Sequence, residues 1–242
     1  MFDALLFFSA AMASIVPSEP TAADTALPVQ LGDEAQPDLD EAFIAAFQLG
    51  GPPAEVGEAV RTLDGEAYYF KPVAIHAIGD DIWALLSVGH QDEAGHVSTG
   101  INAIHYLRDT EGGWQRKGEW FGNGATGTFG NGATAWGFSR ALGKNPYLLT
   151  SGGGVWQGCA VGSAVLTELA PDAPVDRGSF TDSMSSGAGV GQKEQEYDGK
   201  IISAIPDRSF TVAYTGTRAI RQNYVLKNGK YELVGKDRIP GC

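Results

Sequence analysis

Positive charge is scarce in this chain: 17 lysines and arginines stand against 29 acids in 242 residues, and residues 1–100 hold only two bases, Arg61 and Lys71. Neutralising nucleic-acid phosphates needs a basic footprint, so nucleic-acid binding is not expected. Docking on an anionic membrane surface is disfavoured for the same reason. No stretch approaches the roughly 20 apolar residues that a membrane-spanning helix needs, so no transmembrane segment is expected. Charged residues make up 19% and glycines number 33, which favours turns over long, charged surface helices.

Cysteine is nearly absent, with one at Cys159 and one at Cys242. An even pair suits a disulfide formed in an oxidising compartment. Closing a loop of about 84 residues would stabilise the fold by roughly 4–5 kcal/mol in the chain-entropy model. Residues 1–13, MFDALLFFSAAMA, fit this view, with an apolar run at Leu5–Phe8 and then Ala11-Met12-Ala13 as a small-x-small cleavage pattern. They depart from a standard secretory signal in having Asp3, and no lysine or arginine, ahead of the apolar run. The expected location is periplasmic or secreted.

The familiar catalytic motifs are missing as well. No G-x-S-x-G occurs, so no serine nucleophile elbow is expected. No histidine follows Cys159, which removes a papain-type order. Gln157-Gly158-Cys159 with His105 upstream superficially matches a caspase pattern. However, Ala160-Val161 replaces the expected following residues, and Gly152–Gly154 are expected to interrupt the strand leading in.

What is present is a repeat. Residues 121–138 use an eight-residue unit, beginning Phe-Gly-Asn-Gly-Ala-Thr, twice in succession. The first copy matches G-x-G-x-x-G. A dinucleotide loop, however, needs a helix immediately after it and an acid about 20 residues on. The second copy occupies the place of that helix, and residues 141–155 carry no carboxylate. The remaining readings are a pair of Asn-Gly turns that bring backbones close together, or a loop that presents polar and aromatic groups to a ligand. On the second reading Trp120, Asn123, Thr126, Asn131, Thr134 and Trp136 form the contact surface.

All four histidines fall at 76, 90, 96 and 105. His90, Asp92 and His96 bracket a hairpin loop and form a candidate zinc or iron set with an open position. Beyond that metal no cofactor is expected. His76 and His105 lie between apolar neighbours in strand-like segments and are expected to pack at the core edge.

Residues 14–37 hold four prolines, several acids and no aromatic residue, the composition of a disordered linker. A helix follows in DEAFIAAFQLG, with Phe43, Ala46 and Phe47 at helical spacing, and a second short helix is expected over Ala54–Leu63. From Ala67 onward the pattern is that of strands. NYVLK-NG-KYELV predicts a type I′ hairpin that sets Leu226 opposite Tyr231, Tyr224 opposite Leu233 and Lys227 opposite Lys230. IISAI-PDR-SFTVAYTG predicts another, and residues 182–199 read as a long flexible loop. The fold class is therefore all-β, a mostly antiparallel meander, sandwich or barrel over residues 38–242 with a short N-terminal helical segment. A propeller-like repeat of meanders is the alternative.

These features point to an exported β-domain that binds an unidentified small molecule, glycan or protein and is not itself an enzyme. A secreted hydrolase, with metal assistance through His90, Asp92 and His96, and a structural envelope protein are the alternatives.

Overall fold

The computed structural model describes residues 39–50, 57–79, 81–187 and 193–241. The signal-like segment 1–13, the linker 14–37 and Cys242 lie outside the described residues.

The chain begins with one helix, α1 (Leu39–Phe47), followed by β1 (Ala59–Leu63), β2 (Glu66–Ala77), β3 (Ile82–His90), β4 (Ile101–Arg108) and β5 (Gln115–Phe121). These five strands form an antiparallel meander in chain order. The next strands are β6 (Ala135–Ser139), β7 (Tyr147–Trp156), β8 (Cys159–Leu169), β9 (Pro174–Ser186), β10 (Gln195–Ile205), β11 (Ser209–Gly216), β12 (Ile220–Lys227) and β13 (Lys230–Leu233). They form a second meander, an eight-stranded sheet curled into a half-barrel. The all-β expectation holds, and no propeller is evident.

The five-stranded sheet is covered on both faces, which explains its near-continuous apolar runs. On one face Phe70, Leu85, Ala103 and Leu107 receive Phe43 and Phe47 of α1. On the other, Ala84, Leu86, Ile104 and Tyr106 pack against Phe138, Leu148 and Leu169 of the second sheet. Strand alternation sorts neighbouring residues between two cores, Leu85 to the helix and Leu86 to the opposite sheet.

The half-barrel has its own core, in which Phe210 stacks on Tyr224 with ring centroids 4.8 Å apart. The last residues of β9 pair with β10, whereas its first residues turn toward β13. There Arg177 donates to Gly229 O at 2.8 Å and Lys230 pairs with Asp176 at 2.6 Å.

The hairpin at Asn228-Gly229 has the expected register, Leu226 opposite Tyr231 and Tyr224 opposite Leu233. Both turn residues have positive φ, 49° and 83°, as a type I′ turn requires. Three expectations are corrected. Ala59–Leu63 is strand β1 instead of the end of a second helix, because pairing along β2 overrides a weak local preference; residues 51–56 lie outside the described residues. Most of 182–199 is strand, since β9 runs to Ser186 and β10 begins at Gln195. Finally, Gly152–Gly154 do not interrupt a strand. They lie inside β7 and pair in unbroken register with β8.

Candidate binding surface

The glycine-rich repeat is the link that carries the chain from β5 in one sheet to β6 in the other. Its backbone is anchored by one side chain. Asn102, fully buried on β4, donates through Nδ2 to Asn123 O (3.1 Å) and Ala125 O (2.7 Å). Its Oδ1 accepts from Ala133 N at 2.8 Å. A single amide thus holds both copies of the repeat. Thr150 Oγ1, also fully buried, accepts from Ala125 N at 2.8 Å.

The glycines follow from this close approach. A Cβ at Gly152 would overlap the Thr126 backbone, one at Gly100 would overlap Asn131 and Gly132, and one at Gly124 would overlap Thr150 Oγ1. The Gly152–Gly154 run is therefore the bare strip of β7 on which the loop lies. Thr128 N donates to Gly153 O (3.1 Å) and Thr134 N to Ser151 O (2.8 Å).

The six residues expected to form a contact surface divide into two groups. Trp120 is half-buried against Tyr106, with ring centroids 4.7 Å apart, and Trp136 is half-buried against Phe138 at 6.2 Å. Asn123 and Thr126 are half-buried in the anchored part of the loop. Asn131 and Thr134 are exposed, and their side chains donate to Thr128 O (2.8 Å) and Ser151 O (3.2 Å).

Reading the sequence alone missed the most exposed aromatic of the repeat. Phe121 and Phe129 open the two copies, yet Phe121 packs on Phe70 at 5.5 Å while Phe129 is 53% exposed. Phe129 also has φ +57°, in the left-handed region that bulky residues avoid. Holding it there costs on the order of 1–3 kcal/mol. The conformation is imposed by its neighbours, since Gly130 N donates to Ser98 O (2.9 Å) and Gly130 O accepts from Gln91 N (3.0 Å).

Phe129 meets His96 edge-on at 4.5 Å, and His96 lies 6.1 Å from Trp156, itself 59% exposed. Three separate segments, namely the β3–β4 connection, the repeat and the β7–β8 turn, thus converge on one aromatic patch. Trp156 also lines a cavity of about 580 Å³, whose wall includes Cys159 and Met184. Gln157 and Gly158 form the adjoining turn, with φ values of 49° and 80°.

The candidate metal residues part company. His90 lies 3.6 Å from Asp92, 3.8 Å from Glu58 and against the Tyr69 ring, whereas His96 belongs to the aromatic patch. Among the described residues no group of three or more His, Cys, Asp or Glu is placed to hold a metal ion. Cys159 is buried and is not a free thiol; its expected partner, Cys242, lies outside the described residues.

The other two histidines pack as expected. His76 stacks on Phe138 at 4.6 Å, and burial together with the Arg140 charge lowers its pKa. His105 is fully buried under α1, 4.6 Å from the Phe47 ring. Its Nε2 donates to Glu119 Oε1 at 3.0 Å, and its Nδ1 has no hydrogen-bond partner among the described residues. Glu119 also accepts from Arg116 at 3.2 Å and faces Arg61 at 3.9 Å. The two arginines in turn donate to the last carbonyls of α1, Arg116 to Ala46 O (2.9 Å) and Arg61 to Phe47 O (2.7 Å). The last turn of α1 holds no basic residue, so the sheet supplies the cations its C-terminus favours.

Comparison of the chain with protein-family models, with curated proteins and with solved structures finds no match.

Proposed function

We propose that the protein is an exported binding module whose contact surface is the aromatic patch of His96, Phe129 and Trp156, extended by the exposed Asn131 and Thr134 of the repeat. One observation carries this reading: Phe129 is held in an unfavourable backbone conformation while its ring stays half in water. Strain of that kind, outside the core, suits a side chain kept in place for a partner. Exposed aromatics that gather from distant segments mark interaction surfaces more often than lone exposed apolar residues do.

The double variant Phe129→Ala/Trp156→Ala tests the surface. Because both rings are exposed, stability should change little, by about 0.5 kcal/mol for each. On arrays of immobilised glycans and peptides, interactions made by the wild type should weaken at least about tenfold. A double variant that keeps every interaction at wild-type strength would exclude this surface.

Export and a Cys159–Cys242 disulfide belong to the same proposal. They are supported by the residue 1–13 pattern and by the even cysteine count. Protein exported from its full-length gene should have a mature chain beginning near Ser14 and gain two hydrogens in mass on reduction. An uncleaved N-terminus would remove the export reading, and an unchanged mass would remove the disulfide.

A further inference from the structure

The cavity beside Trp156 combines three kinds of lining. Met184 and Cys159, 3% and 8% exposed, give it an apolar portion. Gln157, Ser186 and Gln195 contribute amides and a hydroxyl, and Gly158, Gly187 and Gly241 leave backbone accessible. Lys193 is the one charged residue lining it among the described residues. At about 580 Å³ it falls within the usual range for small-molecule sites, roughly 300–1,000 Å³.

The charged residues around Lys193 divide between two depressions. Lys193 lines the Trp156 cavity, Glu194 and Glu196 line a neighbouring depression with Thr217, and Gln195 lies on the wall between the two. This sets one lysine in the same cavity as the Trp156 wall. Each lining group matches a feature of a sugar acid. An indole offers an apolar face to ring C–H groups, and amides and hydroxyls both donate and accept, as sugar hydroxyls do. An ammonium pairs with a carboxylate.

We infer that this cavity binds a carboxylate-bearing saccharide, with Trp156 as the stacking wall and Lys193 as the carboxylate partner. The inference rests on the aromatic-patch reading, since Trp156 belongs to both, and it names the ligand class.

The test is titration of the full chain with a short oligogalacturonate and with its fully methyl-esterified form, measured by isothermal titration calorimetry. The wild type should bind the acid form more tightly than the ester, and added salt should narrow the gap. Lys193→Gln should lose about tenfold or more for the acid form and leave the ester unchanged, consistent with one charge-assisted contact. Trp156→Ala should weaken both forms.

Equal affinity for acid and ester, insensitive to Lys193→Gln, would overturn the carboxylate assignment while leaving the aromatic surface standing. Binding of poly-glutamate as tight as that of the uronate and indifferent to Trp156→Ala would also overturn it, because charge alone would then explain the result. Uronate binding unaffected by either variant would exclude this cavity. No saccharide binding by the wild type, alongside array interactions lost in Phe129→Ala/Trp156→Ala, would sink the inference but keep the surface.

Discussion

Asn102→Ala is expected to destabilise the fold by about 3–5 kcal/mol, among the largest effects for any single polar residue here. The side chain is fully buried, and its three hydrogen bonds end on backbone groups of the loop. Truncation leaves Ala125 O buried without this donor and removes the partner of the half-buried Asn123 O and Ala133 N, which costs more than the bonds themselves contribute. Asn102→Asp should be no better at neutral pH. It keeps the size and one acceptor but points an anion at the two carbonyl oxygens that the amide once served.

Urea denaturation, read by tryptophan fluorescence and by circular dichroism, measures the change. A loss below about 1 kcal/mol for both variants would show that the loop satisfies its backbone in some other way. Detachment of the loop should also release Phe129, so affinity at the aromatic patch should fall together with stability.

The second large effect is on acid stability. Burial holds the pKa of His105 down at about 4, against 6.5 in an unfolded chain; the hydrogen bond and charge of Glu119 oppose this, and Arg116 and Arg61 add to it. Between pH 6.5 and 4 the unfolded chain therefore takes up a proton that the folded chain refuses. Stability from this group is complete above about pH 6.5 and declines as the pH falls toward 4. The decline is on the order of 3 kcal/mol for a shift of this size.

Other carboxylates titrate in the same range, so the wild type alone cannot isolate the effect. His105→Gln keeps a donor for Glu119 and removes the titration. The stability of the wild type relative to His105→Gln should therefore drop as the pH falls from 7 to 4.5. A difference that stays constant with pH would refute a neutral, buried His105. Because α1 lies directly over this residue and is tied down by Arg61 and Arg116, hydrogen exchange should show that helix opening first in acid.

Two hairpins could be read from local pattern. The Asn228-Gly229 hairpin came out in full register because type I′ chemistry and period-two alternation act over a few neighbouring residues. The helix at Phe43–Phe47 was legible for a similar reason, as its apolar spacing is local. Ala59–Leu63 was not, because β2 made it a strand. The candidate site was legible in part. The repeat stood out, but two identical Phe-Gly-Asn-Gly-Ala-Thr units gave no sign that Phe121 packs inward while Phe129 faces water. Nor did spacing connect His96, Phe129 and Trp156, which come from three segments.

By itself the sequence determined the all-β class, the hairpins over 201–216 and 223–234 and the presence of a glycine-rich turn segment, because alternation, turn residues and composition are encoded locally. The tertiary structure alone decided that Asn102 holds both copies of the repeat, that Gly152–Gly154 form a strip for the loop to lie on, and that His105 is buried neutral beneath α1. Those outcomes depend on which backbones meet and which groups lose water, and both are set by contacts between residues far apart in the chain.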